Sequence, residues 1–255
     1  MKTDYFQAFL LAIVQGISEF IPVSSSAHLI ILSKISNFSI SSLQLDISLH
    51  SGSLLAIIFY FRKDLLNIIN NKPLFLLIVL GSIPLILVGY FFYTSGLIEN
   101  LRNLKIIAWT TLIFGILLFI ADRTKVKNKI KNNLNFKNIL IIGIIQILAI
   151  IPGASRSGVI ITASRFLNFD RVDSSKISFY LSIPALLGAS VLSFKDIYNT
   201  NIDLNFIFLF AVMFSFVFSY LTIKYFLVYV KNFNLNLFVY YRTILALILF
   251  IIAYS

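Results

Sequence analysis

The stretch Ile151-Pro152-Gly153-Ala154-Ser155-Arg156-Ser157-Gly158 decides how this chain is read. It lies inside apolar sequence, with Ile139 to Ile151 before it and Val159 to Ala163 after it. Arg156 reads as the one basic side chain that cannot be placed near the end of a hydrophobic segment. A charge at that depth is costly unless it faces protein, water or a counter-ion, so it marks a functional site by default. Pro152 and Gly153 break the helix, and the small side chains around them keep the loop slim. The N–H groups of a following helix, its dipole and a forked guanidinium together make an anion site.

Composition sets the class. The chain has 255 residues, of which 59% are hydrophobic and 12% charged, with a mean hydropathy of +0.93. A soluble domain carries about twice that charged fraction. The expectation is an all-α polytopic membrane protein with a lipid-facing apolar surface. No cysteine is present, which excludes a thiol nucleophile and a thiolate metal site. No separate signal peptide is expected, because Met1 to Asp4 is short and the following apolar run carries its own motif. The net charge of +11 would suggest nucleic acid on a soluble protein. Here it reads as cytoplasmic positive charge and contact with anionic headgroups, with no nucleic-acid partner.

Taken in order, residues 5–20 and a second arm reaching about Leu32 flank Pro22 and Ser24-Ser25-Ser26. Each arm is shorter than the ~20 residues a spanning helix needs, so the pair reads as a re-entrant hairpin. Spans follow at 47–61 (short), 74–93 and 104–121, then a polar stretch from Asp122 to Asn138. A second short-armed hairpin, 139–151 and 159–167, surrounds the opening motif, and spans at about 174–194, 205–227 and 238–254 complete the chain. That is about six spanning helices and two hairpins in one domain, 1–255. Repeat one covers about 5–121, the loop 122–138, and repeat two about 139–254. Ile21-Pro22 before a serine run matches Ile151-Pro152 before Ser155-Arg156-Ser157, and Gln15 and Gln146 lie upstream of each. Matched broken segments in two halves point to a binding site between them. With Asp122–Asn138 in the cytoplasm, fifteen Lys or Arg fall at cytoplasmic ends, Arg165 and Arg242 among them, and five at outer ends. The bias supports this orientation, which makes the repeats inverted and brings their loops together near mid-membrane.

Few reactive side chains are available at that depth. Glu19 is the one acidic residue within an apolar segment, and Gln15 shares its helix face at a spacing of four. Ser24, Ser25, Ser26, His28, His50 and Arg156 complete the set. These types suit a phosphate ester or diphosphate. Arg156 and loop amides hold the charge, a serine hydroxyl or His28 attacks phosphorus, and His28 or Glu19 moves a proton or holds a cation. Against this stand plainer readings: a structural Arg156–Glu19 ion pair, serines that pack and bond to backbone, and a His50 that only braces the site. Pro84 and Pro184 read as kinks, and Tyr240 and Tyr241 beside Arg242 as interfacial anchors.

Gln15-Gly16-Ile17-Ser18-Glu19-Phe20-Ile21-Pro22-Val23-Ser24-Ser25-Ser26-Ala27-His28 resembles the first signature of the undecaprenyl-diphosphate phosphatase (bacitracin-resistance) family. Pro152-Gly153-Ala154-Ser155-Arg156-Ser157-Gly158 resembles its second, and blocks at His50–Ala56, Phe179–Ala189 and Tyr241-Arg242 extend the likeness over nearly the whole chain. The resemblance implies hydrolysis of a C55 polyprenyl diphosphate to the monophosphate and inorganic phosphate. That reaction recycles the lipid carrier of peptidoglycan synthesis in the bacterial inner membrane and confers bacitracin resistance. It also implies an inverted-repeat fold with two re-entrant hairpins and a site opening outward. Glu19, Ser25, His28 and Arg156 fall on the family's catalytic positions. Gln15, Ser24, Ser26, His50, Gly153, Ser155, Ser157 and Gly158 are the expected substrate-binding set. Gln15 stands at the first position of a Glu/Gln-x-x-x-Glu signature, where it cannot act as a base or charged ligand. A divalent cation, Mg2+ or Ca2+, bridging Glu19 and the diphosphate is the expected cofactor, with no organic cofactor. A homodimer is left open, as is the choice of Ser25 or His28 as nucleophile. A transporter or flippase for an anionic lipid or solute is the competing class.

Overall fold

Helices in this chain start and stop where the sequence supplies caps and breaks. Asn71, Asn103 and Asn135 each precede a helix, and their side chains accept from Leu74 N, Lys105 N and Asn138 N respectively. Each thereby satisfies one of the donors a helix start leaves open. The computed structural model describes residues 2–25, 27–29, 31, 43–198 and 206–254. The helices are α1 (Lys2–Ser18), α2 (Leu43–Tyr60), α3 (Arg62–Asn70), α4 (Lys72–Thr94), α5 (Leu97–Leu101) and α6 (Leu104–Asp122). After these come α7 (Ile130–Asn133), α8 (Phe136–Gln146) with a 3-10 turn at Ile147–Ile150, α9 (Arg156–Phe166), α10 (Arg171–Tyr198), α11 (Phe206–Asn232) and α12 (Asn236–Tyr254). The described residues between 25 and 31 are helical too and form the second arm of the first hairpin. Among the described residues there is no strand, only an isolated bridge between Asn128 and Phe169.

Among the described residues four helices, α4, α6, α11 and α12, are long and apolar enough to cross a membrane. The protein is a multi-pass membrane protein. Two segments expected to span depart from that apolar pattern. The apolar part of α2 is short, Leu45–Tyr60. Helix α10 runs 28 residues but carries buried Ser174, Ser178 and Ser182 at successive spacings of four, a polar face turned into the bundle. Both hairpins are broken as expected, with one shift: α9 begins at Arg156, so this residue opens a helix and does not ride in the loop. Pro84 and Pro184 lie inside α4 and α10.

Packing exchanges partners between the two halves. Helix α1 of the first hairpin lies on α11, and α8 of the second lies on α4. Likewise α2 packs on α11 and α10 on α4, while α2 meets α10 and α6 meets α12. Close approach is built from small residues. A Cβ on Gly143 would overlap the Gly81 carbonyl oxygen and stand 3.1 Å from its Cα, so α8 and α4 touch main chain to main chain. Between α2 and α11, Ser53 Oγ lies 3.2 Å from Ser215 Oγ and 2.9 Å from Ser219 Oγ, and Ser215 donates to Leu49 O at 2.6 Å. The largest buried cluster, with Phe20, Phe61, Ile142, Ile160, Phe179 and Phe226, spans both halves.

One end of the bundle is held by a charged knot. Asp122, the last residue of α6, is buried and takes both guanidinium nitrogens of Arg171, at 2.6 and 3.0 Å, and the N–H of Leu235 at 3.0 Å. Arg165, which the charge count puts at a cytoplasmic end, is 2% exposed. It donates to Phe169 O, Asp122 O and Thr124 O, with its Nε 3.6 Å from Asp122 Oδ1. The polar stretch after α6 is thus tied to the end of α9 and to the α11–α12 turn.

Removing one member of a buried ion network strands the others. Asp122→Ala is expected to destabilise the fold by about 3–5 kcal/mol, read as thermal unfolding in detergent. Lys129→Ala, which breaks an exposed pair with Asp170, is expected to leave the same curve nearly unchanged.

Candidate active site

Both hairpin loops end on a serine with a left-handed backbone, Ser24 at φ 77° and Ser155 at φ 66°, just before the second arm turns helical. In the second loop Ser155 caps α9 by accepting from Gly158 N at 3.3 Å, and its hydroxyl lies 3.2 Å from Ser157 Oγ. Gly153 has φ 91°, and a Cβ there would overlap Thr110 Oγ1 and stand 2.7 Å from Ile107 O. Only glycine fits. Thr110 donates to Pro152 O at 2.6 Å, which docks this loop on α6. Ser157 donates to Ile21 O at 2.8 Å, which joins the second loop to the first.

The charged pair expected at depth is formed. Arg156 donates through Nη2 to Glu19 Oε1 and through Nη1 to Ser182 O at 3.2 Å. Side-chain exposure is 14% for Arg156 and 7% for Glu19, so this is an interior ion pair, 137 residues apart in sequence. The other carboxylate oxygen, Oε2, accepts from Ser25 Oγ at 3.1 Å and from Gln15 Nε2 at 2.9 Å. Gln15 Nε2 also lies 3.0 Å from His50 Nδ1. The structure therefore brings Gln15, Glu19, Ser25, His50 and Arg156 into one network. Ser24, Gly153, Ser155, Ser157 and Gly158 frame it through the backbone. Ser26 lies outside the described residues.

His28 faces elsewhere. Its Nδ1 is 2.6 Å from Ser24 O and its Nε2 is 2.5 Å from Tyr241 Oη, with the two rings stacked at 11°. A carbonyl only accepts, so Nδ1 carries the proton and Nε2 takes the Tyr241 O–H. The imidazole lone pair is engaged by α12 and is not aimed at Ser25.

The sequence puts Arg242 at a cytoplasmic helix end beside the interfacial Tyr240 and Tyr241, whereas the structure turns it inward. It is 0% exposed and its guanidinium meets four backbone carbonyls. Nε donates to Thr111 O at 3.1 Å, Nη1 to Pro22 O and Ala154 O at 3.2 Å each, and Nη2 to Gly153 O at 2.8 Å. It holds both loops at once. Two glycines make room: a Cβ on Gly158 would come within 3.3 Å of Arg242 Nη1, and one on Gly115 within 3.4 Å of its Cβ. A usable signal was in the sequence, since Arg242 stands six residues into an apolar helix. Its neighbours Tyr240 and Tyr241 made it resemble an interfacial anchor.

The donor set bears on the expected cation. Glu19 is met by a guanidinium, an amide N–H and a hydroxyl, and Arg156 already neutralises it. No second carboxylate joins it, and among the described residues no group of three His, Cys, Asp or Glu is placed to hold a metal. These residues do not fit a resident divalent cation.

The family model for bacitracin resistance protein BacA matches residues 8–248. The chain belongs to this family. A protein named undecaprenyl-diphosphatase from Pelagibacter ubique (strain HTCC1062) is 55% identical over the full length of both chains. Proteins of the same name from Elusimicrobium minutum (strain Pei191) and Alcanivorax borkumensis are 40% and 38% identical. Each covers 96% of this chain, and the matches take in 97% and 98% of those relatives. All the site residues of this family member lie within the matched span.

A lysine at position 242 is a single point donor and cannot reach four carbonyls spread over three segments. Arg242→Lys is expected to lower phosphate release from a polyprenyl diphosphate by tenfold or more, about the worth of one buried charged hydrogen bond. The check is initial rate at saturating lipid, with the protein still monodisperse in detergent.

Proposed function

We propose that this protein hydrolyses undecaprenyl diphosphate to undecaprenyl phosphate and inorganic phosphate, at a site opening to the outer face of a bacterial inner membrane. The observation that carries the reading is the Ser25–Glu19–Arg156 array at the junction of two loops from opposite halves. It sets a hydroxyl, a carboxylate and a guanidinium side by side in a low-dielectric interior, and those are the groups a diphosphate cleavage uses. The family membership and the shared name of the relatives support the same substrate. The reaction returns the lipid carrier of cell-wall synthesis to use and would confer bacitracin resistance.

In this reading the diphosphate draws Arg156 away from Glu19, assisted by the N–H groups of Arg156 and Ser157 at the start of α9. Glu19 then lacks its counter-charge and holds a proton more strongly. Ser25 Oγ attacks the terminal phosphorus while its proton passes to Glu19 Oε2, 3.1 Å away. The new Oγ–P bond forms as the P–O anhydride bond breaks, and undecaprenyl phosphate leaves with the electron pair. Glu19 passes that proton to the departing undecaprenyl phosphate and next accepts one from water, whose oxygen attacks phosphorus. The Oγ–P bond breaks, inorganic phosphate leaves and Glu19 Oε2 returns the water proton to Ser25 Oγ. The orientation of His28 toward Ser24 O and Tyr241 favours Ser25 over His28 as nucleophile. His28 instead holds the turn that presents Ser25.

The outward orientation rests on charge bias. With Arg165 and Arg242 withdrawn as buried, thirteen basic residues still stand against five. A transporter of an anionic lipid shares this architecture, but it needs a sealed bilayer and releases no phosphate in detergent.

Arg156→Lys keeps the charge and loses the fork, and Ser25→Ala removes the attacking oxygen. Each is expected to lower phosphate release from the C55 diphosphate by on the order of 100-fold or more. Acid-quenched enzyme should carry phosphate on Ser25. Near-normal turnover in either variant, or label on His28, would overturn the mechanism.

A further inference from the structure

Gln15 is 0% exposed and sits one turn before Glu19 on the same helix face. Its Nε2 lies 2.9 Å from Glu19 Oε2 and 3.0 Å from His50 Nδ1, while its Oε1 is buried without a hydrogen-bond partner. An amide nitrogen has two protons to give and no lone pair to offer. One proton goes to the carboxylate, so the other is left for the imidazole, and His50 Nδ1 must accept it. Turning the amide over would set Oε1 against Glu19 Oε2, two acceptors at contact. The charge on Glu19 therefore dictates which way the amide faces, even though this strands a buried carbonyl, and the amide dictates the imidazole tautomer.

We propose that His50 is a positioning residue for Glu19. As the neutral imidazole with its proton on Nε2, it locks the Gln15 amide, and the amide locks the carboxylate oxygen that receives the Ser25 proton. The inference rests on Glu19 acting as that acceptor. The coupling runs both ways. A proton on His50 Nδ1 would face an N–H of Gln15, and the amide could meet it only by releasing Glu19 Oε2. That oxygen would then keep Ser25 as its one partner in the network and turn about the Arg156 bond. The other charged groups near His50 are Asp46, one turn earlier on α2, with Arg102 beyond it, and Arg156 across Glu19. Among the described residues His50 is hydrogen-bonded to Gln15 and to none of the loop residues that frame the phosphate position, so its effect is transmitted and not direct. The role differs from the substrate contact expected from sequence.

The test has one arm without turnover and one with it. The chain has two histidines, so 15N-histidine protein in detergent gives two imidazoles, and His50→Asn identifies the second. At neutral pH the His50 ring is expected to carry its proton on Nε2, and a proton on Nδ1 would sink the proposal. For turnover, His50→Leu removes the acceptor and is expected to lower kcat about tenfold with KM changed less than about twofold. His50→Asn offers a carbonyl where Nδ1 stood and is expected to restore kcat to within about threefold of wild type. In a Gln15→Leu background, adding His50→Leu is expected to cost less than about twofold. Equal losses in both backgrounds, or a loss confined to KM, would overturn the proposal. If the wild-type protein releases no phosphate from C55 or shorter diphosphates, the proposed activity fails instead, and the tautomer result still decides the geometry.

Discussion

A helix broken inside a membrane exposes carbonyls that lipid cannot satisfy, and everything in this fold turns on how those carbonyls are met. Arg242 supplies the donors. Its guanidinium serves carbonyls of Pro22 in one loop, Gly153 and Ala154 in the other, and Thr111 on α6. No carboxylate is among these partners. The charge is stabilised by aligned carbonyl dipoles, which suits a residue meant to hold backbone in place and stay out of the chemistry. Ser157 on Ile21 O and Thr110 on Pro152 O complete the closure.

With the loops fixed, the interior charge pair of Arg156 and Glu19 becomes useful. Arg156 and Glu19 neutralise each other, so the site can be assembled without a bound anion. An isolated interior charge of either sign would be strongly unfavourable. In the proposed mechanism the same pairing keeps the carboxylate quiet and ties its release to the arrival of a ligand that can compete for the guanidinium. A diphosphate is such a ligand, because its oxygens match the fork in two places. On that mechanism one contact contributes to folding when no substrate is bound and to timing when substrate binds.

Different features of the chain were legible to different degrees. The two broken hairpins could be read because Pro22, Pro152 and Gly153 interrupt apolar runs too short to span. Glu19 and Arg156 stood out as charges at depth, and their motifs named a family. Arg242 and Arg165 did not stand out. Each lies near a polar boundary in the linear sequence, and hydropathy cannot tell a side chain that reaches the headgroups from one that turns inward. The polar face of α10 was missed for a related reason: serine scores as nearly neutral, so Ser174, Ser178 and Ser182 register only once neighbouring helices surround them.

The sequence by itself determined that the chain is helical, membrane-embedded and broken twice, because those properties follow from local composition and from residues that cannot continue a helix. It also determined the family, since two long motifs carry that information without any geometry. Only the tertiary structure decided that His28 faces Tyr241, that Gln15 stands between Glu19 and His50, and that Arg242 holds both loops. Such choices depend on which donors and acceptors are close in space. Partners from 35 to 220 residues apart are selected by packing, and no local pattern records the distance between them.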